Sequence, residues 1–190
     1  MVPKLKMFVG PMFSGKSTKL LQQIDRYKLA NKNIICFKPQ MDTRYTKDGF
    51  IVTHNDIHAP CHLVSTGKEM MEIFDQLNEE DKIDAVAVDE AFMIEGVSEA
   101  CVSILYEKKI DILVSSIDLS ASLIPFHEIS SLMGHATHIK KCKAVCTVCG
   151  EDATYTLRKF SIDSKDEQIR VGGTELYEPR CLKHHSDIEI

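Results

Sequence analysis

The sequence predicts an α/β fold with a mainly parallel sheet flanked by helices, followed by a small C-terminal metal-binding region. Short buried apolar runs alternate with segments of helical period through the first 140 residues, as in βαβ units. A glycine-bracketed loop joins the first apolar run to the first helical segment. Beyond residue 140, short segments with clustered Cys and His replace that alternation. We therefore predict one domain over residues 1–140 and a second over residues 141–190.

Composition and charge narrow the class of protein. The chain has 190 residues, 44% of them hydrophobic, seven cysteines and a net charge of -5. No apolar run is long enough to cross a bilayer, and the first strand begins too early to leave room for a secretory signal. We expect a cytoplasmic protein with reduced cysteines and no membrane partner. The acidic net charge disfavours broad binding to nucleic acid.

The first loop has the phosphate-loop pattern of glycine, four residues and Gly-Lys-Ser. It lies between an apolar run over Leu5–Val9, a predicted strand, and a helix predicted over Lys16–Leu29. Backbone N–H groups and the positive end of the helix dipole favour binding of phosphate oxygens at such a loop. The alternative interpretation is a glycine-rich turn that matches the pattern by chance. We expect the Lys16 amine to reach the terminal phosphates and the Ser17 hydroxyl to ligate Mg²⁺. The predicted site for a nucleoside triphosphate comprises Gly10, Pro11, Met12, Phe13, Ser14, Gly15, Lys16, Ser17 and Thr18.

The next elements continue the same alternation. The apolar run over residues 34–38 predicts the second strand, which completes a βαβ unit. Asp42-Thr43-Arg44-Tyr45 follows it, where ligands gather in open α/β sheets. Residues 46–62 are polar and predict a loop or short hairpin. Apolar residues at helical spacing between Met70 and Leu77 predict the second helix.

A further buried run over residues 83–88 ends in two acids, Asp89 and Glu90. Carboxylates at the tip of a buried strand, in a chain with a phosphate loop, match the Mg²⁺ side of phosphoryl-transfer enzymes. A solvated strand end is the alternative. Helical spacing over residues 95–107 then predicts a helix, and the apolar run over residues 110–117 predicts a strand. A weak helical segment over residues 129–133 follows. The residues after His138 predict a last strand or ribbon.

Two pairs of metal-ligand residues lie in the C-terminal region, Cys146-x-x-Cys149 and Cys181-x-x-His184. Each pair has the spacing that lets neighbouring side chains bind one tetrahedral ion. A Cys₃His set favours Zn²⁺, and four protein ligands leave no open position, so we predict a structural zinc. His185 is an alternative fourth ligand because it adjoins His184. A metal staple also fits a segment too short to bury a sizeable core.

Other interpretations of the cysteines stay open. A redox Cys-x-x-Cys competes with the metal site, although the thioredoxin-like helix start is missing. Independent reduced thiols are a third alternative. Cys142 lies outside the two-residue spacing and is predicted to take no part. Cys36, Cys61 and Cys101 lie in or beside apolar segments, which predicts small core residues.

Taken together, these motifs resemble the type II thymidine kinases, a family of small, cytosolic, zinc-containing enzymes. The match extends through nearly the whole chain, and its specificity comes from the order and spacing of many short segments. These are residues 10–17, Asp42-Thr43-Arg44-Tyr45, Val88-Asp89-Glu90-Ala91, Asp118 with Pro125-Phe126, Ala144-Val145-Cys146-x-x-Cys149, Tyr155-Thr156, Val171-Gly172-Gly173 with Tyr177, and Cys181-x-x-His184.

The resemblance implies transfer of the ATP γ-phosphate to the 5′-hydroxyl of thymidine, and of deoxyuridine as a further substrate. It implies Glu90 as the catalytic base, because a positioned carboxylate can accept the hydroxyl proton. Asp89 is implied to hold hydrated Mg²⁺ with Ser17. Arg44 is implied to lie near the transferred phosphate, where a guanidinium can engage two oxygens. A surface salt bridge is the alternative for Arg44.

The resemblance also implies that the zinc-bearing segment is a lasso, a long loop that closes over the nucleoside. Main-chain groups around Val171, Gly172 and Gly173 would recognise the base, since glycine lets the backbone approach a ligand closely. The remaining substrate-binding residues implied are Met12, Phe13, Phe126, Thr156 and Tyr177, with plain core packing as the alternative for the apolar ones. The family further implies a homotetramer.

Three positions depart from the family pattern. Phe92 and Met93 stand where the family usually has Gln and a large apolar residue, and Ala121 replaces an aromatic residue that flanks the base. Loss of that wall would cost roughly 1 kcal/mol of stacking and burial. We expect Phe92 or Met93 to fill part of the gap. Two alternative functions follow, a kinase for another deoxynucleoside, or a P-loop ATPase or nucleotide-sensing module with a zinc ribbon.

Overall fold

The computed structural model describes residues 2–42, 49–52, 58–159 and 172–185. The elements alternate between strand and helix through the first three quarters of the chain and are short strands thereafter. In chain order they are β1 (Leu5–Val9), α1 (Lys16–Leu29), β2 (Ile34–Pro39), β3 (Phe50–Val52), β4 (His58–Pro60), β5 (His62–Val64), α2 (Gly67–Glu80), β6 (Ala85–Val88), a 3₁₀ turn (Ala91–Met93), α3 (Val97–Ser103), a π-helical segment (Ile104–Lys108), β7 (Asp111–Ser116), α4 (His127–His135), β8 (His138–Lys141), β9 (Ala144–Val145), β10 (Asp152–Ala153), β11 (Tyr155–Arg158), β12 (Tyr177–Arg180) and a second 3₁₀ turn (Leu182–His184).

Six strands form the main sheet in the order β5-β2-β6-β7-β1-β8. Every neighbouring pair in it is parallel. The prediction of an α/β fold with a mainly parallel sheet is therefore confirmed. Because the strands are parallel, the segments that follow β1, β2, β6 and β7 all emerge at one edge of the sheet. This edge carries the candidate site.

Some boundaries differ from the prediction. The strand predicted from residue 83 begins at Ala85, and the Asp84 carboxylate before it accepts a hydrogen bond of 2.9 Å from the Asn33 backbone N–H. The helix predicted over 95–107 begins at Val97, after Gly96 with φ +73°, and becomes π-helical from Ile104. The weak segment predicted over 129–133 is a helix over His127–His135.

Helices cover both faces of the main sheet. On one face, helix α1 buries Leu20, Leu21 and Ile24 against β-strand side chains and Ile51 of the β3–β4 hairpin. On the other face, α2, α3 and α4 enclose the larger core. Helix α2 is begun by Thr66, whose hydroxyl accepts from the Glu69 N–H, while the Glu69 carboxylate accepts from the Ser65 N–H. The Thr66 hydroxyl thereby satisfies one of the donors that the first helical turn leaves unpaired, and the Glu69 carboxylate fixes the residue before the cap.

The C-terminal segments form two small antiparallel pairs, β9–β10 and β11–β12. Their own core is limited to Ala144, Cys146 and Ala153, with Cys181 packed against it. Tyr177 of β12 instead joins the larger core of the main sheet. The predicted domain boundary at residue 140 falls inside β8, which pairs with β1. In the part of the chain described, no helix is both long and apolar enough to cross a membrane.

Candidate active site and metal centre

The phosphate loop connects β1 to α1 through unusual backbone conformations. Gly10 has φ +146°, and a Cβ there would lie 2.4 Å from the Cys142 carbonyl oxygen, so no larger residue fits. Phe13 has φ +63°, and Gly15, which precedes the helix, has φ +73°. Left-handed conformations next to a helix N-terminus turn successive N–H groups toward one point. The loop thus has the shape that the sequence predicted for phosphate binding.

Two side chains of the loop bond to one carbonyl within it. The Lys16 amine donates to the Pro11 carbonyl oxygen at 2.7 Å, and the Ser14 hydroxyl donates to the same oxygen at 2.8 Å. Lys16 is only 6% exposed although it carries a charge. The positive charge of this amine thus lies inside the loop, at the position where the sequence predicts the phosphates of a nucleotide.

The two acids predicted at the end of β6 lie beside the phosphate loop. The Ser17 hydroxyl donates to the Asp89 carboxylate at 3.0 Å. Burial, and then the neighbouring Glu90 carboxylate, raise the pKa of Asp89 from its ordinary 3.8 to about 6, against the opposing hydrogen bond from Ser17. An acid that resists ionisation in this way is one that a bound cation would stabilise. Ser17 and Asp89 therefore fit the Mg²⁺ site predicted for them.

Glu90 occupies a strained backbone position. It is 8% exposed and has φ +48°, which is uncommon for a residue other than glycine and costs free energy. It precedes the 3₁₀ turn Ala91–Met93, and the Met93 N–H donates to the Glu90 carbonyl at 3.1 Å. The left-handed conformation of Glu90 thereby ends the extended backbone of the strand and begins the turn. Such strain clusters at functional sites.

A buried ion pair lies at the end of β2. The Lys38 amine is 3.3 Å from an Asp42 carboxylate oxygen, and both side chains are almost fully buried. Sequence reasoning gave Lys38 no role, although a lysine at the end of an apolar strand was the available signal. Asp42 opens the segment that carries Arg44, which lies outside the described residues.

A cavity of about 40 Å³ lies between the phosphate loop, the acidic turn formed by residues 89–93 and the C-terminal strands. This volume is below that of typical small-molecule sites, about 300–1,000 Å³. Its lining includes five residues predicted to bind substrate, Met12, Phe126, Thr156, Gly172 and Tyr177. The other lining residues are Phe92, Met93, Ile117, Leu119, Ser120, Ala121 and Arg158.

Phe13 and Gly173, also predicted to bind substrate, are not among these lining residues. Phe13 packs, partly buried, against the larger core. The Gly173 carbonyl accepts from the Leu176 and Tyr177 N–H groups at 3.1 Å and 3.0 Å. Val171 lies outside the described residues. Sequence reasoning missed Arg158 in the lining, although its position two residues after Thr156 places both on the same face of β11.

Phe92 and Phe126 form an aromatic wall of the cavity. Their ring centroids are 4.7 Å apart, with an interplanar angle of 45°. The Phe92 N–H donates to the Ser116 hydroxyl oxygen at 3.1 Å, which fixes the backbone of the turn to the end of β7. Ala121 lines the same cavity. The aromatic side chain of Phe92 thus lines the cavity together with Ala121, and its replacement of the wall expected at position 121 stays a prediction.

Next to this cavity, Asp118 and Lys141 pair at the carboxyl ends of β7 and β8. The Lys141 amine donates to an Asp118 carboxylate oxygen. The Phe126 N–H also donates to the Asp118 carbonyl at 3.2 Å. Asp118 therefore connects the edge strand to the loop that carries Phe126.

The four residues predicted to bind zinc converge. One ligand atom from each of Cys146, Cys149, Cys181 and His184 lies within 4.8 Å of the other three. Desolvation raises the pKa of the Cys146 thiol, but backbone hydrogen bonds outweigh it and lower that pKa to about 5. A thiolate is the form that binds a metal. Three sulfurs and one imidazole nitrogen in a closed cluster fit a tetrahedral structural Zn²⁺.

The structure also decides between the two adjacent histidines. His184 Nδ1 lies 3.3 Å from the Cys181 sulfur and 3.8 Å from the Cys146 sulfur. His185 is 2% exposed, and its Nε2 lies 3.3 Å from the Thr156 carbonyl oxygen. His184 is therefore the fourth member of the cluster. Cys142, predicted to take no part, is buried and directed at the Lys140 carbonyl.

Comparison with known proteins agrees with these features. The thymidine kinase family model matches residues 3–185. A curated relative, the thymidine kinase of Onion yellows phytoplasma (strain OY-M), is 33% identical over 191 residues. The alignment covers 98% of this chain and 88% of that protein. The chain belongs to the thymidine kinase family.

Membership of the thymidine kinase family confirms the resemblance that the motifs indicated. The chain is accordingly an ATP-dependent kinase, a phosphotransferase. Within this family member, the phosphate loop, the acidic turn and the cavity with its Phe92–Phe126 wall lie together at one edge of the sheet. The Cys₃His cluster lies in the segment that supplies the other wall of the cavity.

Proposed function

We propose that this thymidine kinase family member transfers the γ-phosphate of ATP to the 5′-hydroxyl of thymidine, and of deoxyuridine as a further substrate, to give the monophosphate. One observation carries the proposal. A phosphate loop, a pair of acids and an aromatic-walled cavity adjoin one another at the carboxyl edge of the sheet. Phosphoryl transfer requires these parts to be positioned together.

The residues of the phosphate loop would hold ATP. Loop N–H groups would donate to phosphate oxygens, and Lys16 would exchange its bond to the Pro11 carbonyl for the terminal phosphates. Ser17 and Asp89, already hydrogen-bonded to each other, would hold hydrated Mg²⁺. When bound, Mg²⁺ supplies positive charge that neutralises the phosphate oxygens. Arg44 would engage the transferred phosphate with its planar guanidinium.

Glu90 would act as the catalytic base. Its carboxylate accepts the proton of the 5′-hydroxyl as that oxygen bonds to the γ-phosphorus. The bond between the γ-phosphorus and the bridging oxygen breaks, and ADP leaves with the electron pair. The left-handed backbone at Glu90 turns this residue out of the strand direction, next to Asp89. Asp89 would then hold the metal, and Glu90 would accept the proton of the attacking hydroxyl.

The cavity would hold the thymine base. The Phe92–Phe126 wall offers an aromatic face for stacking, and Met12 and Tyr177 close it with apolar surface. The Thr156 hydroxyl supplies a polar group. Main-chain groups of Val171, Gly172 and Gly173 would recognise the base edge. The zinc bound by Cys146, Cys149, Cys181 and His184 would hold the base of this lasso and take no part in the chemistry.

We also propose that the protein is a cytoplasmic homotetramer with no membrane or nucleic-acid partner. Four chains of 21.4 kDa give a mass of about 86 kDa, which light scattering after gel filtration measures directly. A mass near 21 or 43 kDa would exclude the tetramer.

A coupled phosphorylation assay with Mg-ATP and a panel of deoxynucleosides tests the proposed reaction. We expect strong preference for thymidine, weaker activity on deoxyuridine and little on purine nucleosides. Preference for a different nucleoside would overturn the assignment of substrate and direct attention to Phe92, Met93 and Ala121. ATP hydrolysis without any nucleoside acceptor would instead favour the ATPase alternative. The small side chain of Ala121 in the cavity lining is the observation that supports the alternative of a different nucleoside substrate.

A further inference from the structure

A chain of hydrogen bonds joins the metal cluster to the phosphate loop through two residues. His185 directly follows His184 of the cluster, and its Nε2 lies 3.3 Å from the Thr156 carbonyl oxygen. On the same residue, the Thr156 hydroxyl oxygen accepts from the Met12 N–H at 3.0 Å. Met12 belongs to the phosphate loop and also lines the cavity. Two segments 144 residues apart in sequence are thereby connected.

The strand pairing explains why Thr156 needs a partner beyond β12. In an antiparallel pair, alternate residues direct their backbone groups toward the neighbouring strand. The Lys159 N–H donates to the Leu176 carbonyl, which continues the β11–β12 register, so residues 157 and 155 also face β12. The carbonyl of Thr156 then faces away from β12. His185 supplies the donor that the ladder does not.

The chemistry of this contact determines which atom donates the hydrogen bond and which accepts it. A carbonyl oxygen only accepts hydrogen bonds, so His185 Nε2 must carry the hydrogen. The His185 ring also lies edge-on to Tyr155, with ring centroids 5.8 Å apart. Since the Thr156 oxygen already accepts from Met12, its hydroxyl hydrogen remains available to donate. Thr156 lines the cavity, where a carbonyl of the base is a suitable acceptor.

We propose that His185 is a positioning residue for the nucleoside site. Through the Thr156 carbonyl it holds β11 where the Thr156 hydroxyl meets both the Met12 N–H and the nucleoside. The metal cluster would hold His185 in place through the adjacent His184. The part that concerns the nucleoside depends on the proposed function, whereas the connection to the phosphate loop does not.

Three variants test the proposal. His185→Phe keeps a ring of similar size but removes the donor, whereas His185→Gln places an amide N–H near the position of Nε2. Thr156→Val keeps the shape of the side chain and removes the hydroxyl. For each variant, zinc per chain, thermal unfolding, the thymidine KM and kcat, and Mg-ATP affinity by calorimetry without nucleoside are measured.

We expect His185→Phe to retain one zinc per chain and to raise the thymidine KM about five- to tenfold, with kcat changed less than about twofold. His185→Gln should recover most of the loss. In the double variant, His185→Phe should add less than about twofold to Thr156→Val, because both act on one contact. Loss of zinc in His185→Phe, an unchanged KM, equal impairment by Phe and Gln, or full additivity would each overturn the proposal.

The Mg-ATP titration separates this proposal from the proposed function. If the wild-type protein phosphorylates no nucleoside, the proposed function fails. The connection to the phosphate loop then still predicts an Mg-ATP affinity about threefold weaker in both His185→Phe and Thr156→Val. Unchanged nucleotide affinity in both variants would overturn that connection. A variant that fails to fold is identified by its unfolding curve, and Thr156→Val then carries the nucleotide test.

Discussion

Asp89→Asn should stabilise the protein while abolishing its turnover. Burial and the adjacent Glu90 raise the pKa of Asp89 from 3.8 to about 6. The folded state therefore binds this proton more tightly than the unfolded state, so the contribution of Asp89 to stability is largest below pH 4 and declines as the pH rises toward 6. Asparagine removes the buried charge and can still accept the hydrogen bond from Ser17. Loss of the carboxylate removes the group proposed to hold Mg²⁺.

The magnitude follows from the displacement of that pKa. Slightly more than two pKa units correspond to about 3 kcal/mol in the free energy of unfolding at pH 8. For a chain of this length, that is an increase in melting temperature of about 6–12 °C. At pH 5 the wild-type residue is mostly protonated when folded, so the advantage should fall to about half.

The assay is thermal unfolding in Mg²⁺-free buffer at pH 8 and pH 5. No chelator is added, so that zinc is retained. Asp25→Asn, on the exposed face of α1, controls for the loss of one negative charge and should change the melting temperature by about 1 °C or less. An Asp89→Asn protein that melts at or below the wild-type temperature at pH 8 would refute the reasoning. So would an increment of the same size at both pH values.

Three further predictions concern the proposed catalytic base, the proposed zinc and the aromatic wall of the cavity. Glu90→Gln should bind ATP and thymidine normally and lose about 10²- to 10⁴-fold in kcat. Glu107→Gln, on an exposed segment, is the control. Near-normal turnover of Glu90→Gln would show that Glu90 is not the catalytic base. Chelation of zinc should increase protease cleavage beyond residue 141 and weaken thymidine binding, and an unchanged digestion pattern would contradict the staple. Phe92→Leu should raise the thymidine KM about two- to twelvefold, because the ring pair with centroids 4.7 Å apart is lost. Adding Ala121→Phe should restore part of the lost affinity. An unchanged KM would show that the wall does not contact the thymine base.

Much of the fold could be predicted because short-range patterns determine it. Buried apolar runs of four to six residues separated by helical periods leave few alternatives to a parallel sheet. The phosphate loop and the zinc pairs were predictable because each is contiguous in sequence, and its chemistry requires fixed spacing. The same reasoning located Asp89 and Glu90 at a strand tip.

The features that sequence missed depend on contacts between distant segments. The choice between His184 and His185 could not be made from spacing, because either histidine satisfies it. The structure decides it through the Thr156 carbonyl, 29 residues away. The burial of Lys38 beside Asp42 and the place of Arg158 in the cavity lining likewise depend on how strands are arranged in space.

The position of Phe92 has a consequence for how this enzyme can change over evolutionary time. The wall of the cavity lies two residues after Glu90, on the same short turn, and its backbone is tied to Ser116. An aromatic residue at position 121 would instead sit on a separate loop, free to vary without disturbing the acids. Here, a substitution of Phe92 falls on the segment that also carries Glu90, the proposed catalytic base. Changes of substrate preference, natural or engineered, should therefore disturb the acids less at position 121 than at position 92.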